Sequence, residues 1–455
     1  MTSVHERAGA AQVPATRGNP NNRVEAPLTL TTEPPRPLGL RDQFVLWINL
    51  GISLFGPLTG AAVATATGSL SSAMVAIVVG CALGGILLAS SAVFGAATGA
   101  PAMVALRGLL GRRGSVLPTV LNLAQNVGWA TMEIIVISTA AARVVGVAEE
   151  WRWPFAVLGG VVATLMAIRP LGSVRVLRKI VIWLVLAASV YLFVQVLLQP
   201  GHPISADQAI GFWPGVDLAV AGVVSFAPLA ADYSRHARSR GSAFWGAGLG
   251  YGLAAIAYYA LGAFAVAHLG ATSATMIDAL VALPVGAVAL LILLVDEVDE
   301  AFANIYSTTM SVQNLFGRLD RRWVAIGVGV VATVLSVVVP LGRYQSFLFL
   351  IGSVFVPLFA VAAVDFWLVS RGRWDVTSTA RFRPAPVLAW LLGFVSYQLV
   401  YPGDVPGWSN FWTGLDTLIG FTAPGWLGSS VAAIVVGGTA MIILGLVGRG
   451  LERVD

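Results

Sequence analysis

The sequence predicts an all-α integral membrane protein with twelve transmembrane helices, and three observations predict it. Of 455 residues, 57% are hydrophobic and only 11% are charged, against about 25% in a soluble domain. Mean hydropathy is +0.82. Apolar runs of 18 or more residues recur from Trp47 onward, each long enough to cross a bilayer. This composition argues against a soluble enzyme, a nucleic-acid binder and a disulfide-built secreted domain. The net charge of +5 carries no nucleic-acid implication, because in such a chain the placement of Lys and Arg among short loops is what matters. One cysteine, Cys81, excludes an intrachain disulfide and reads as a small buried hydrophobe.

Residues 1–42 are polar and proline-rich and read as a disordered cytoplasmic tail; the apolar segment that follows is too long and too late for a signal peptide. The expected spans are 43–67, 71–94, 116–142, 153–170, 178–198, 216–234, 243–267, 280–310, 323–340, 346–369, 385–401 and 425–447, with a short tail at 448–455. Twenty-four of the 27 Lys and Arg fall in the tails and in alternate loops, and the other side receives only Arg143, Arg152 and Arg343. That alternation puts both termini in the cytoplasm of a multi-pass inner-membrane protein. The connection at 402–424 carries Trp408, Phe411 and Trp412, which suggests a segment near the outer interface. The span at 280–310 exceeds what the hydrocarbon needs, so its polar end protrudes or lines a cavity.

A buried helix tolerates carboxylates only where they meet a cavity, a partner or a proton path. In the eighth span Asp296, Asp299 and Glu300 share one face by helical spacing, whereas Glu297 points elsewhere. Three ionised carboxylates on one face need a cation among them or a proton on one. A helix end simply projecting into the cytoplasm is the competing reading. The third span offers Asn122, Gln125, Asn126, Trp129 and Glu133; positions 122, 126, 129 and 133 form a stripe. Trp129 stacking and Glu133 hydrogen bonding suit a flat heterocycle with N–H donors, against interhelical polar packing as the bland alternative.

Helix breakers fall at matching places in the first span, Gly51-Ile-Ser-Leu-Phe-Gly56-Pro57, and the sixth, Ser225-Phe-Ala-Pro228. Spans one to five (43–198) and six to ten (216–369) then form two inverted repeats, followed by two additional helices (385–447), with unwound backbone at the midplane free for a cation and a polar ligand. Phe55, Gly56, Ser225 and Phe226 join Trp129, Glu133, Asn126 and Gln125 as candidate substrate-binding residues. The His and Cys residues form no metal cluster, no paired nucleophile and base can be placed, and nothing resembles an ATP-binding domain. Transport by this chain would draw on an ion gradient, without a cofactor, nucleic acid or obligate protein partner.

These segments resemble the nucleobase:cation symporter-1 family, which includes cytosine, purine, hydroxymethylpyrimidine, allantoin and hydantoin permeases, over most of residues 38–370. The matching motifs are Leu50 through Gly56, Arg107 through Gly114-Ser115, Asn126-Val-Gly-Trp129, Pro228 through Arg235, Ala303-Asn-Ile-Tyr306, and Pro357 through Asp365-Phe366. The resemblance implies a 5+5 inverted-repeat fold with two extra C-terminal helices. It implies an importer of a planar nucleobase-like substrate by cation symport. It assigns stacking to Trp129, a polar substrate contact to Glu133, cation-site carbonyls to Gly51 and Leu54, and cation-facing positions to Asp296, Asp299 and Glu300. Sodium-dependent members carry hydroxyl, amide or small residues at these last positions, so the coupling ion is either Na+ or H+. The sixth-helix aromatic aligns nearest Val223, with Phe226 a turn away. The alternatives are a same-fold carrier of another small solute, such as an amino acid, allantoin or hydantoin, and a membrane ligand sensor that does not transport.

Overall fold

The computed structural model describes residues 34–168, 174–316, 319–377 and 382–451. The expected tail residues 1–33 and 452–455 lie outside the described residues. Residues 34–42, placed in the tail by their prolines, are instead held in the fold. Leu38 N–H donates to His236 O (3.1 Å), Arg238 N–H returns a bond to Leu38 O (2.8 Å), and Arg36 Nη1 reaches Ala96 O (2.8 Å). The closely spaced prolines restrict the unfolded backbone of this segment, which lowers the entropy lost on docking.

The first span is broken. α1 (Leu40–Leu50) stops at Gly51, and α2 (Phe55–Thr67) restarts after four residues at an angle of 67°. Pro57 sits in the first turn of α2, where the missing N–H costs no intrahelical bond. α3 (Leu70–Thr98) is capped by Ser69, whose side chain accepts from Ser72 N–H, and is followed by short α4 (Ala102–Ala105) and α5 (Arg107–Gly114). Then come α6 (Val116–Val145), α7 (Trp153–Ile168) and α8 (Val174–Leu197). The second half opens with α9 (Phe212–Val224) and α10 (Ala227–Ser234), interrupted at Ser225–Phe226, and continues with α11 (Arg240–Leu269) and short α12 (Met276–Val281). α13 (Gly286–Leu315), α14 (Arg321–Val338) and α15 (Tyr344–Val364) complete it, α15 ending in a π-helical turn at Asp365–Val369. α16 (Pro384–Val400), α17 (Trp408–Ile419) and α18 (Ser429–Leu451) follow, α16 packing along α18 and α18 against α15. α17 carries the aromatic group expected near an interface: Trp408 and Trp412 lie 5.8 Å apart, and Trp408 Nε1 donates to Gln398 Oε1 (3.0 Å).

Among the described residues, seven helices are individually long and apolar enough to cross a membrane, and the bent α1–α2 pair makes an eighth. Three shorter apolar helices are Trp183–Leu197, Arg322–Val338 and Pro384–Val400. α13 has 30 residues, about 45 Å at 1.5 Å per residue, against a hydrocarbon core of about 30 Å. Its surplus length is the polar half that follows Val295.

Both broken helices are packed at the centre, between α3, α11 and α15. α2 and α11 touch backbone to backbone: a Cβ on Gly60 would lie 1.8 Å from Tyr259 O, and one on Gly262 would lie 2.0 Å from Pro57 O. Only glycine permits this approach. α6 packs along α13, which brings the stripe of the third span against the acidic segment of the eighth.

Candidate substrate and cation site

The break between α1 and α2 leaves the amides at the start of α2 without intrahelical partners, and a carboxylate at such a helix N-terminus is stabilised by hydrogen bonding and by the helix dipole. Glu297 supplies it. Its Oε1 accepts from Leu54 N–H and from Ser53 Oγ (3.1 Å). Glu297 is therefore not turned away, as helical spacing within the eighth span implies. It is 1% exposed and lies at the heart of the site. One carboxylate oxygen from each of Glu133, Glu297 and Glu300 falls within 4.8 Å of the others. Asp296 and Asp299 are half-buried and lie outside this triad, so the carboxylate face is Glu297 and Glu300, one turn apart, joined by Glu133 of α6. Leu54 turns its N–H toward α13, while its carbonyl accepts from Leu58 N–H (3.4 Å) in the first turn of α2.

Glu133 and Glu300 also line a cavity beside the triad, together with Gly51, Phe55, Gly56, Trp129, Ser225 and Phe226. The space inside is about 30 Å³ on the scale where one water needs about 10–15 Å³, room for two or three waters, so a heterocycle enters only as side chains move apart. Trp129 is held edge-on by Phe55 (5.3 Å, 87°) and Phe347 (5.3 Å, 70°), and its Nε1–H has no protein partner among the described residues. The second oxygens of Glu133 and Glu297 and one oxygen of Glu300 are likewise buried without a partner. Unsatisfied buried groups of this kind call for a ligand, an ion, a proton or water.

Val223 is fully buried against α3, where a Cβ on Gly84 would lie 2.9 Å from its own. Phe226 faces the cavity, its ring 4.9 Å from that of Tyr251. Gln125 stands behind the wall: its Nε2 donates to Ser225 O (2.8 Å), fixing the interruption between α9 and α10. Asn126 is fully buried outside the cavity lining, with both amide atoms unpaired among the described residues.

Several wall residues were not singled out by the sequence. Thr59 donates to Phe55 O (2.8 Å) and pairs with Tyr344 OH (2.6 Å), which lays the Tyr344 ring across Phe55. Tyr251, Tyr259 and Asn304 also line the cavity. Gly222 leaves room for the Tyr259 hydroxyl, since a Cβ there would sit 2.2 Å from it. Asn304 was in view as part of the Ala303–Tyr306 motif. The tyrosines carried no signal beyond being aromatic residues in apolar helices.

A family model described as a permease for cytosine/purines, uracil, thiamine and allantoin matches residues 32–386. The chain belongs to this permease family. A similar curated protein is the putative purine-cytosine permease YxlA of Bacillus subtilis (strain 168), 26% identical over 361 residues, covering 74% of this chain and 77% of that one. Among solved structures, Mhp1, titled a nucleobase-cation-symport-1 family transporter in a closed conformation with bromovinylhydantoin bound, aligns with a TM-score of 0.65 at 18% identity. That alignment covers 94% of this chain and 95% of Mhp1. MhsT, solved in complex with L-phenylalanine, aligns with a TM-score of 0.52 at 14% identity over 89% of this chain and 98% of its own. At these identities the structures establish the fold: an all-α, inverted-repeat membrane fold of the symporter type. The protein is a membrane permease and not an enzyme.

Proposed function

We propose that the protein imports a planar nucleobase or related heterocycle by symport with a cation, binding the heterocycle between Trp129, Phe55 and Phe226 and the cation at Glu133, Glu297 and Glu300. The observation that carries this reading is that Glu133 and Glu300 belong to both the cavity wall and the carboxylate triad. At separations of no more than 4.8 Å, each ionised pair repels by roughly 3.5 kcal/mol at an effective dielectric constant of about 20. A proton on one carboxyl, or a Na+ among the three, relieves that repulsion and frees the remaining acceptors for substrate N–H groups. Cation and substrate then favour the same arrangement of side chains, which is the thermodynamic requirement for coupling. A substrate bearing its own carboxylate would face Glu133 and Glu300 unfavourably, which argues against an amino acid.

The supporting topology has twelve spans with both termini cytoplasmic. The seven or eight apolar spans, the three shorter apolar helices and α13 support that number, and the 24-to-3 partition of Lys and Arg supports the orientation. Gly51 and Leu54 mark the break against which the cation site is built, with the Leu54 amide held by Glu297.

The test is uptake of radiolabelled cytosine, with purines, hydroxymethylpyrimidine and allantoin as competitors, into proteoliposomes under independently imposed sodium and proton gradients. Accumulation driven by one gradient supports symport and identifies the ion. Binding without accumulation under either gradient overturns it in favour of a sensor.

A further inference from the structure

An open groove of about 600 Å³ on the outside of the bundle, remote from the cavity, runs between α3, α11 and the end of α15. Its floor is apolar: Ile86 from α3, Trp245 from α11, and Val364, Trp367 and Leu368 from α15 and its π turn. Among the described residues, Arg240, at the first turn of α11, is its only charged lining residue. We propose that this groove binds one anionic phospholipid, with the phosphate on Arg240 and an acyl chain along the apolar floor.

Five features support that occupant. The guanidinium is pre-oriented, 5.8 Å from the centre of the Phe366 ring and packed beneath the 371–372 turn, where a Cβ on Gly372 would lie 2.9 Å from Arg240 Nη1. No carboxylate pairs with Arg240 among the described residues. Ser239 Oγ takes the Ser242 N–H (3.0 Å), which leaves the Arg240 and Gly241 amides at the mouth of the groove as open donors. Trp245 and Trp367 are 56% and 42% exposed, the placement of tryptophans at the boundary between headgroups and hydrocarbon. Arg235 and Arg238 lie in the loop that leads into α11 and Arg371 follows the π turn of α15, and a basic pocket between membrane helices favours an anionic headgroup over a zwitterionic one.

The experiment is native mass spectrometry of the full chain in neutral detergent, with phosphatidylglycerol titrated against phosphatidylcholine of identical chains. The wild type should retain one phosphatidylglycerol in preference to phosphatidylcholine, and Arg240→Gln should reduce that retention about fivefold, as expected for the loss of one basic contact. Ile86→Trp, which fills the floor, should reduce retention of both lipids. Arg343→Gln, at the opposite end of α15, should change neither. Circular dichroism melting of each variant separates lost lipid from lost fold. Equal retention of the two lipids by the wild type, or unchanged retention in Arg240→Gln with the fold intact, overturns the proposal. Displacement of the lipid by equimolar glycerophosphate would also overturn it, because the site would then be for a free phosphate.

Discussion

Replacing Glu297 by Gln separates two readings of the acidic segment. The substitution keeps an acceptor for Leu54 N–H and Ser53 Oγ and removes one of the three charges. Two of the three pairwise repulsions vanish, each roughly 3.5 kcal/mol at an effective dielectric constant of about 20 and separations within 4.8 Å. Most of the drive that draws a cation into the triad is thereby lost. Coupling free energies between two ligands are typically about 1–3 kcal/mol, so the wild type should bind substrate some 5- to 150-fold more tightly at saturating coupling ion. In Glu297→Gln that ratio should fall to within about twofold, a coupling energy near 0.4 kcal/mol. Asp296→Asn should keep the wild-type ratio, because Asp296 lies outside the triad. The assay is substrate affinity of purified protein by isothermal titration, with and without the coupling ion. Loss of coupling in Asp296→Asn with retention in Glu297→Gln would refute the triad and restore the face read from helical spacing.

Trp129→Ala should weaken substrate binding by about 1–3 kcal/mol, the range for stacking of a base on an aromatic ring; Trp129→Phe should recover part of it, and an equal loss in both variants contradicts stacking. Gly262→Ala places a methyl 2.0 Å from Pro57 O, and overpacking of this kind destabilises by about 1–3 kcal/mol, so the melting temperature should drop measurably, whereas Gly252→Ala, with open space around it, should not. Burial holds the His236 imidazole below its ordinary range, opposed by its bond to Pro35 O and reinforced by Arg235. A base depressed in the folded state binds more protons when the chain unfolds, so folding stability should fall as pH drops below about 6.5. The melting temperature should therefore drop more between pH 7 and 5 in the wild type than in His236→Gln; an equal drop in both would contradict this.

The class of protein was legible because charge is scarce, so every charged residue in an apolar helix stands out. The break at Gly51–Leu54 was legible because Gly and Pro act locally. The face of α13 was not. Spacing fixes the angles among residues 296, 297, 299 and 300, but the rotation of the helix against its neighbours is set by packing on α6 and by the N–H groups that the α1–α2 break exposes. A run of four carboxylates in five positions offers more than one face, and only the Leu54 amide, 243 positions away, selects among them. Tyr344 and Tyr251 were invisible for a related reason: a phenol in an apolar helix becomes a site residue only once Thr59 or Phe226 is known to lie opposite. Residues 34–42 carried the composition of a tail, and their hydrogen bonds to the 236–238 loop and to Ala96 O reveal that they are docked.

The glycine contact between α2 and α11 bears on how such a permease could alternate. With Gly60 and Gly262 each pressed on the opposing main chain, turning either helix on its axis would bring a Cβ onto that main chain. α2 and α11 are therefore expected to move together. The hinge that opens a passage to either side must lie outside that pair, at the Gly51–Leu54 break below it or on the opposing wall, where α6, α13 and α15 meet the cavity through side chains instead of backbone.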